Sequence, residues 1–175
     1  SYVGEAGWEL TVKVEDSKSI YAALTAEGAV PAGLYAQTSM RIEKGFAAMG
    51  HELDSDITPL ECGLDQCVSK RKQFPGAEAL TERRGKSARS LVTVILDNEN
   101  AVPLGHEPIY LEHRIIGHTT SASFGYRIGK PIALAHVHVD KPDGLEVELD
   151  ITGGRYKARL QFAAAFDPTG HRMKV

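Results

Sequence analysis

Glu5 stands on a turn flanked by Gly4 and Gly7, just ahead of Trp8-Glu9-Leu10. A carboxylate held there can grip a flat, N–H-rich ring, because an ionised carboxylate accepts two parallel hydrogen bonds. The neighbouring glycines let backbone come close to such a ligand. The same residue also reads as a surface acid in a hairpin turn, and spacing leaves both roles open. A second group of charges, Arg41, Glu43, Glu52, Asp54, Asp56 and Glu61, gathers around a helix end and a proline-containing connection between Thr38 and Leu64. Arg41 and Glu43 lie two apart on a helix and so point to different sides. Arg41 can pair with Glu5, bind an anionic ligand through its planar fork, or serve as a salt bridge from helix to sheet.

The other reactive side chains form no recognisable machinery. His136 and His138 share one face of a strand, a spacing at which two imidazoles chelate, yet no acidic or thiol neighbour supplies a third ligand. They read as partly exposed barrel histidines, and no metal site is expected. Ser39, Ser87, Ser90, Ser121 and Ser123 lack a G-x-S-x-G elbow. Neither G-x-G-x-x-G nor a P-loop occurs, so nucleotide chemistry has no motif to rest on. The cysteines, Cys62 and Cys67, are too few for a disulfide framework and read as structural thiols in a reducing, cytoplasmic setting.

The elements that must position these groups follow from composition and periodicity. A chain of 175 residues is one ordinary domain or two small ones, and 42% hydrophobic residues suffice for a core. The net charge of −3, with acids and bases interspersed, gives no basic footprint for nucleic acid. The longest apolar runs, such as 132–139, are too short to span a bilayer, and no secretory signal is visible. Alternation of Trp8, Leu10, Val12 and Val14 predicts a strand within 1–15, followed by a helix over 18–27 capped by Asp16 or Ser17. A second helix is expected over 34–44, ended by Gly45, then an irregular stretch with a short strand near 66–69 and a helix over 77–84. Beyond it, apolar segments at 91–96, 108–111, 115–121, 132–139, 145–151 and 156–162 alternate with turn signals, which indicates a compact antiparallel barrel or sandwich. The reading is an α+β chain in two parts, 1–88 and 89–175, with the boundary between 84 and 90.

Several segments resemble the glycine-cleavage T-protein (aminomethyltransferase) superfamily. Tyr2-Val3-Gly4-Glu5-Ala6-Gly7-Trp8-Glu9-Leu10 resembles its Y-x-G-E-x-G-[FWY]-E-[IL] signature, and Met40-Arg41-Ile42-Glu43-Lys44-Gly45 its L-R-[LI]-E segment. Pro59–Leu64, Phe74-Pro75-Gly76, Gly117–Ser121 and Ile132–Ala135 are similar to later parts of the same pattern. Gly50-His51-Glu52-Leu53 and the ending Phe166-Asp167-Pro168-x-Gly170-x-Arg172 look most like the folate region of dimethylglycine and sarcosine dehydrogenases.

The resemblance implies a partial ferredoxin-like folate-binding portion followed by a C-terminal antiparallel β-barrel. It implies tetrahydrofolate as cofactor, with Glu5 bonded to the pterin ring and Arg41 near the folate site. It also implies an N-methyl amine donor, and in the dehydrogenases a preceding FAD domain. The family's catalytic aspartate lies upstream of the Glu5 signature, so no catalytic residue is assigned here, and 175 residues alone are expected to bind folate poorly and turn nothing over. The missing N-terminal half is the expected partner. Two alternatives stand beside this reading: a methyltransferase paralogue using another donor such as a sulfonium compound, and a non-catalytic structural or docking module.

Overall fold

The computed structural model describes residues 1–86 and 89–174. Three helices, α1 (Val14–Ala26), α2 (Leu34–Glu43) and α3 (Ala77–Arg83), precede six strands: β1 (Ser90–Leu96), β2 (Pro108–Leu111), β3 (Arg114–Gly125), β4 (Lys130–Val137), β5 (Glu146–Ile151) and β6 (Gly154–Gln161). The strands pair antiparallel in the order β1-β4-β3-β2-β5-β6, and β6 returns to β1, closing a barrel. Each of the six apolar segments expected as strands from residue 91 onward forms one, and closure leaves no sheet edge unpaired.

Strand alternation sorts the side chains into two cores. Val92, Val94 and Leu96 of β1, Ala133, Ala135 and Val137 of β4, Leu149 of β5 and Leu160 of β6 fill one cluster. The alternate residues of β4, Ile132 and Leu134, face the opposite way and pack with Ile42 of α2, together with Leu91, Ile95, Ile128 and Ala165. β4 is therefore buried on both faces, which is why its sequence runs apolar almost without interruption.

Helix α2 docks on the barrel by its C-terminal half, where Ser39, Arg41, Ile42 and Glu43 are buried. It stops at Gly45, whose left-handed conformation (φ 66°) closes the end. The Gly45 N–H reaches the Ile42 carbonyl at 2.9 Å and the Phe46 N–H the Arg41 carbonyl at 2.9 Å, the paired bonds of a Schellman cap.

Two expectations fail in the first half. Residues 1–13 form no strand, and α1 begins at Val14 rather than near 18. A strand must pair its backbone groups. The backbone of 1–13 has little such pairing; one backbone–backbone bond to a distant segment is Ala6 N–H to the Arg172 carbonyl, 2.8 Å. Nor is there a strand near 66–69; Asp65–Cys67 is a 3₁₀ turn. Local bonds occupy the backbone there: the Cys67 N–H reaches the Leu64 carbonyl at 2.9 Å and the Val68 N–H the Asp65 carbonyl at 3.1 Å. The expected boundary between 84 and 90 includes residues 87 and 88, which lie outside the described residues.

Candidate functional site

Glu5 is pinned in place rather than hanging free in water. It sits on a bend after Gly4, with its side chain 22% exposed and an arginine on each oxygen. Arg127 Nη1 donates to Oε1 at 2.6 Å and Arg172 Nε to Oε2 at 2.7 Å. The hydrogen bond from Arg172, helped by the charges of both guanidinium groups, outweighs partial burial and holds the carboxyl below its usual range. Gly4 is needed for the bend: its φ is 72°, and a Cβ there would overlap the aliphatic stem of Lys44. Lys44 is itself buried and donates to the carboxylate of Asp167 at 3.0 Å.

Arg127 is the hub of this corner. It lies in the turn between β3 and β4. Its backbone N–H (2.7 Å) and Nε (2.5 Å) both donate to the fully buried Glu43 carboxylate, and Nη2 donates to the Met40 carbonyl at 2.7 Å. Its guanidinium lies 4.2 Å above the centre of the Phe166 ring, a cation–π geometry. One planar fork thus joins Glu5, the end of α2, the barrel turn and the C-terminal tail. The tail is fastened again by Phe166 N–H to the Glu43 carbonyl (3.0 Å) and by Asp167, which accepts the His171 and Arg172 N–H groups at 2.8 and 3.1 Å. Burial would raise the Asp167 pKa, but Lys44 and these two amides bring it down to about 2.

Arg41 does not pair with Glu5. It is buried against Glu52, Nη1 to Oε2 at 2.8 Å, with a second bond to the Phe46 carbonyl at 3.2 Å. Glu52 is wholly buried: Oε2 also takes the Ala48 N–H at 2.9 Å, while Oε1 takes the Thr120 hydroxyl at 2.6 Å and the Ser121 hydroxyl. Neighbours on a regular strand point to opposite faces. Here the β3–β4 register slips between Thr119 and Ser121, and this bulge aims both hydroxyls at one carboxylate. Burial alone would raise the Glu52 pKa, but the hydroxyls, the amide and Arg41 more than offset it and hold the group ionised.

The remaining candidates separate. His136 is buried rather than partly exposed, with Nε2 3.0 Å from the Glu52 carbonyl, whereas His138 is exposed past the end of β4. Among the described residues no cluster of three or more His, Cys, Asp or Glu could hold a metal. Cys62 and Cys67 are free thiols; burial pushes the Cys62 pKa up, which makes it a poor nucleophile. Asp54 caps its own turn through the Asp56 N–H, and Glu61 pairs with Arg89 at 3.1 Å. A cleft of about 470 Å³ opens between Ser1 and Tyr2, the α2 cap from Lys44 to Ala47, and the Cys62–Gln66 turn. It adjoins Lys44, and Glu5 does not line it.

Spacing singled out Glu5, Arg41, Glu43 and Glu52, yet gave no sign of Arg127 or Arg172. Arg127 is one basic residue in a turn, and Arg172 lies 167 residues from its partner. The only available signal was the ending Phe166-Asp167-Pro168-x-Gly170-x-Arg172, in which Phe166, Asp167 and Arg172 each make one of the contacts above.

Comparison with known proteins agrees with this architecture. Residues 1–72 match the model of the GCVT N-terminal domain, and residues 89–167 that of the glycine cleavage T-protein C-terminal barrel domain. Mitochondrial dimethylglycine dehydrogenase of Rattus norvegicus is 38% identical over 91% of this chain, which covers 20% of that protein. An aminomethyltransferase of Corynebacterium aurimucosum is 34% identical over 89% of the chain, covering 44% of its own length. The crystal structure of aminomethyltransferase T from the glycine cleavage system of Bartonella henselae superposes with a TM-score of 0.84 at 27% identity, over 92% of this chain and 46% of that one. The chain thus spans a fifth of the dehydrogenase and under half of the aminomethyltransferases. No described helix is long and apolar enough to cross a membrane. With the two family models together covering most of its length, the chain belongs to the glycine cleavage T-protein (aminomethyltransferase) family.

Proposed function

We propose that this chain supplies one wall of a tetrahydrofolate site, in a protein that oxidatively demethylates an N-methylated glycine and passes the one-carbon unit to tetrahydrofolate. The observation that carries the reading is the Glu5 carboxylate, fixed on a glycine bend and kept ionised by two arginines. A carboxylate has about four lone-pair positions. The two arginines use one on each oxygen, and the partly exposed side leaves two for the amino and ring N–H edge of a pterin. When bound, the reduced pterin would accept the one-carbon unit; the chain's own part is to bind and orient it. Arg41 contributes by bracing the end of α2 through Glu52. The flavin that oxidation needs is assigned to no residue of this chain.

The names of the relatives support the donor class, since the dehydrogenase match is to a dimethylglycine enzyme. Residues 1–88 form the rear of the folate-binding portion in this reading, and 89–175 the barrel that buttresses it. The apolar surface left open on the first portion, including Trp8 at 96% and Tyr35 at 94% exposure, supports completion of the pocket by polypeptide upstream in the parent. The chain alone is therefore expected to bind weakly and to show no turnover.

A titration with 5-formyltetrahydrofolate followed by NMR tests this. Millimolar ligand should shift the amides of residues 3–7 and 126–128, and Glu5→Gln should abolish the shifts. Shifts that persist in Glu5→Gln, or that appear only elsewhere, would sink the proposal.

A further inference from the structure

We propose that the Asp167–Pro168 peptide bond is a self-cleavage site, at which the Asp167 carboxylate attacks its own backbone carbonyl and releases the tail from Pro168 to Val175. This activity is independent of folate binding. Two donors already sit on the carbonyl oxygen that would gain negative charge: Lys44 Nζ at 2.5 Å and the Gly170 N–H at 2.9 Å. Together they make an oxyanion hole, and its ammonium is buried, with the Lys44 side chain 3% exposed. The same ammonium reaches Asp167 Oδ2 at 3.0 Å, so it gathers nucleophile and carbonyl around one charge. The Asp167 pKa of about 2 keeps the carboxylate a charged nucleophile well into acid. Asp167 is also held at φ 46°, a left-handed conformation that strains a non-glycine residue and that scission would relax. Pro168 makes the bond a tertiary amide, whose nitrogen takes a proton more readily than that of an ordinary peptide. Pro168 and Thr169 are exposed, so solvent reaches the leaving group.

The step balances with water as the one co-reactant. A carboxylate oxygen bonds to the Asp167 carbonyl carbon, and the carbonyl oxygen takes the charge beside Lys44 and Gly170. The carbon–nitrogen bond to Pro168 then breaks; the nitrogen takes a proton from solvent and leaves as the secondary amine of the tail peptide. Residue 167 is left as a five-membered cyclic anhydride, which one water molecule opens to a side-chain carboxyl and a new terminal carboxyl. Because the leaving nitrogen must be protonated, release quickens as pH falls for as long as the fold persists. Loss of the tail removes Arg172, and with it one guanidinium on Glu5 and the carbonyl that holds the Ala6 N–H.

Intact-mass spectrometry tests this on the whole chain, incubated at the lowest pH at which circular dichroism shows the native fold. The same chain unfolded in urea at that pH is the reference. There Asp167 titrates near its ordinary value, about 3.9, and the oxyanion hole is gone. The folded chain should release Pro168–Val175 about tenfold faster or more. Pro168→Ala keeps the Lys44–Asp167 pair, so it should abolish release and leave Tm unchanged. Asp167→Asn should abolish release by removing the nucleophile, and Lys44→Met should slow it about tenfold by removing one donor. Three results would overturn the inference. A folded chain that stays whole, or is cleaved no faster than the unfolded one, would show that the turn only shields the bond. Undiminished release from Pro168→Ala would show that the labile amide is not the point of scission. Undiminished release from Asp167→Asn would show that the carboxylate is not the nucleophile.

Discussion

Glu52 shows how a wholly buried carboxylate is kept charged in this fold. Its two oxygens receive Arg41, the Ala48 amide and the Thr120 and Ser121 hydroxyls. Because the carboxyl is ionised below its usual range in the folded chain, its contribution to stability is fully present above the unfolded value, about 4.3, and is lost as pH falls through the lower folded value. Glu52→Gln leaves the buried Arg41 without its counter-charge and should cost about 3–5 kcal/mol at neutral pH. Urea unfolding from pH 7 to pH 3 checks this: the gap between wild type and Glu52→Gln should narrow in acid. A gap that stays constant would mean that the charge of Glu52 does not hold the joint. Spacing singled this residue out, but not its role, because the hydroxyls it uses lie 68 and 69 residues away.

At the level of elements, short apolar segments set between turn signals were enough to find all six strands. The bulge in β3 was not legible: Thr119, Thr120 and Ser121 are all polar, so the sequence carries no phase by which an extra residue could be noticed. The α2 stop was legible, because a glycine after an apolar helical run marks a left-handed cap. Gly45 has room for a methyl group, its nearest neighbours lying 3.8 and 3.9 Å from a Cβ, so only backbone strain opposes a side chain. Gly45→Ala should therefore destabilise by about 1–2 kcal/mol, without repacking; thermal unfolding reads the loss, and an unchanged Tm would contradict the strain argument. The strand expected over 1–15 failed for a different reason. Its alternating pattern is real, but a strand needs a neighbour, and the described residues supply none.

Across the whole molecule, order is unequally supported. The barrel and the docked end of α2 hold both hydrophobic clusters, whereas α1 buries no residue and Val14, Tyr21, Leu24, Val30, Leu34 and Tyr35 are exposed. Segments with few buried apolar contacts open at low free energy. Amide exchange should therefore be fast in α1 and slowest in β1 and β4; equal protection in α1 and the barrel would show a packing surface unaccounted for. The family was legible from short motifs because each sits at a point of geometric need, such as the Gly4-Glu5 bend, the α2 cap and the tail that closes over them. The two arginines on Glu5 were hidden because only folding brings the turn between β3 and β4 and the C-terminal tail to residue 5.

The most direct measurement is a crystal structure of the chain soaked with 5-formyltetrahydrofolate. The account predicts the pterin edge within hydrogen-bond distance of both Glu5 oxygens, with Arg127 and Arg172 still in place. A ring seated instead in the cleft beside Phe46 and Cys62, making no contact with Glu5, would contradict it.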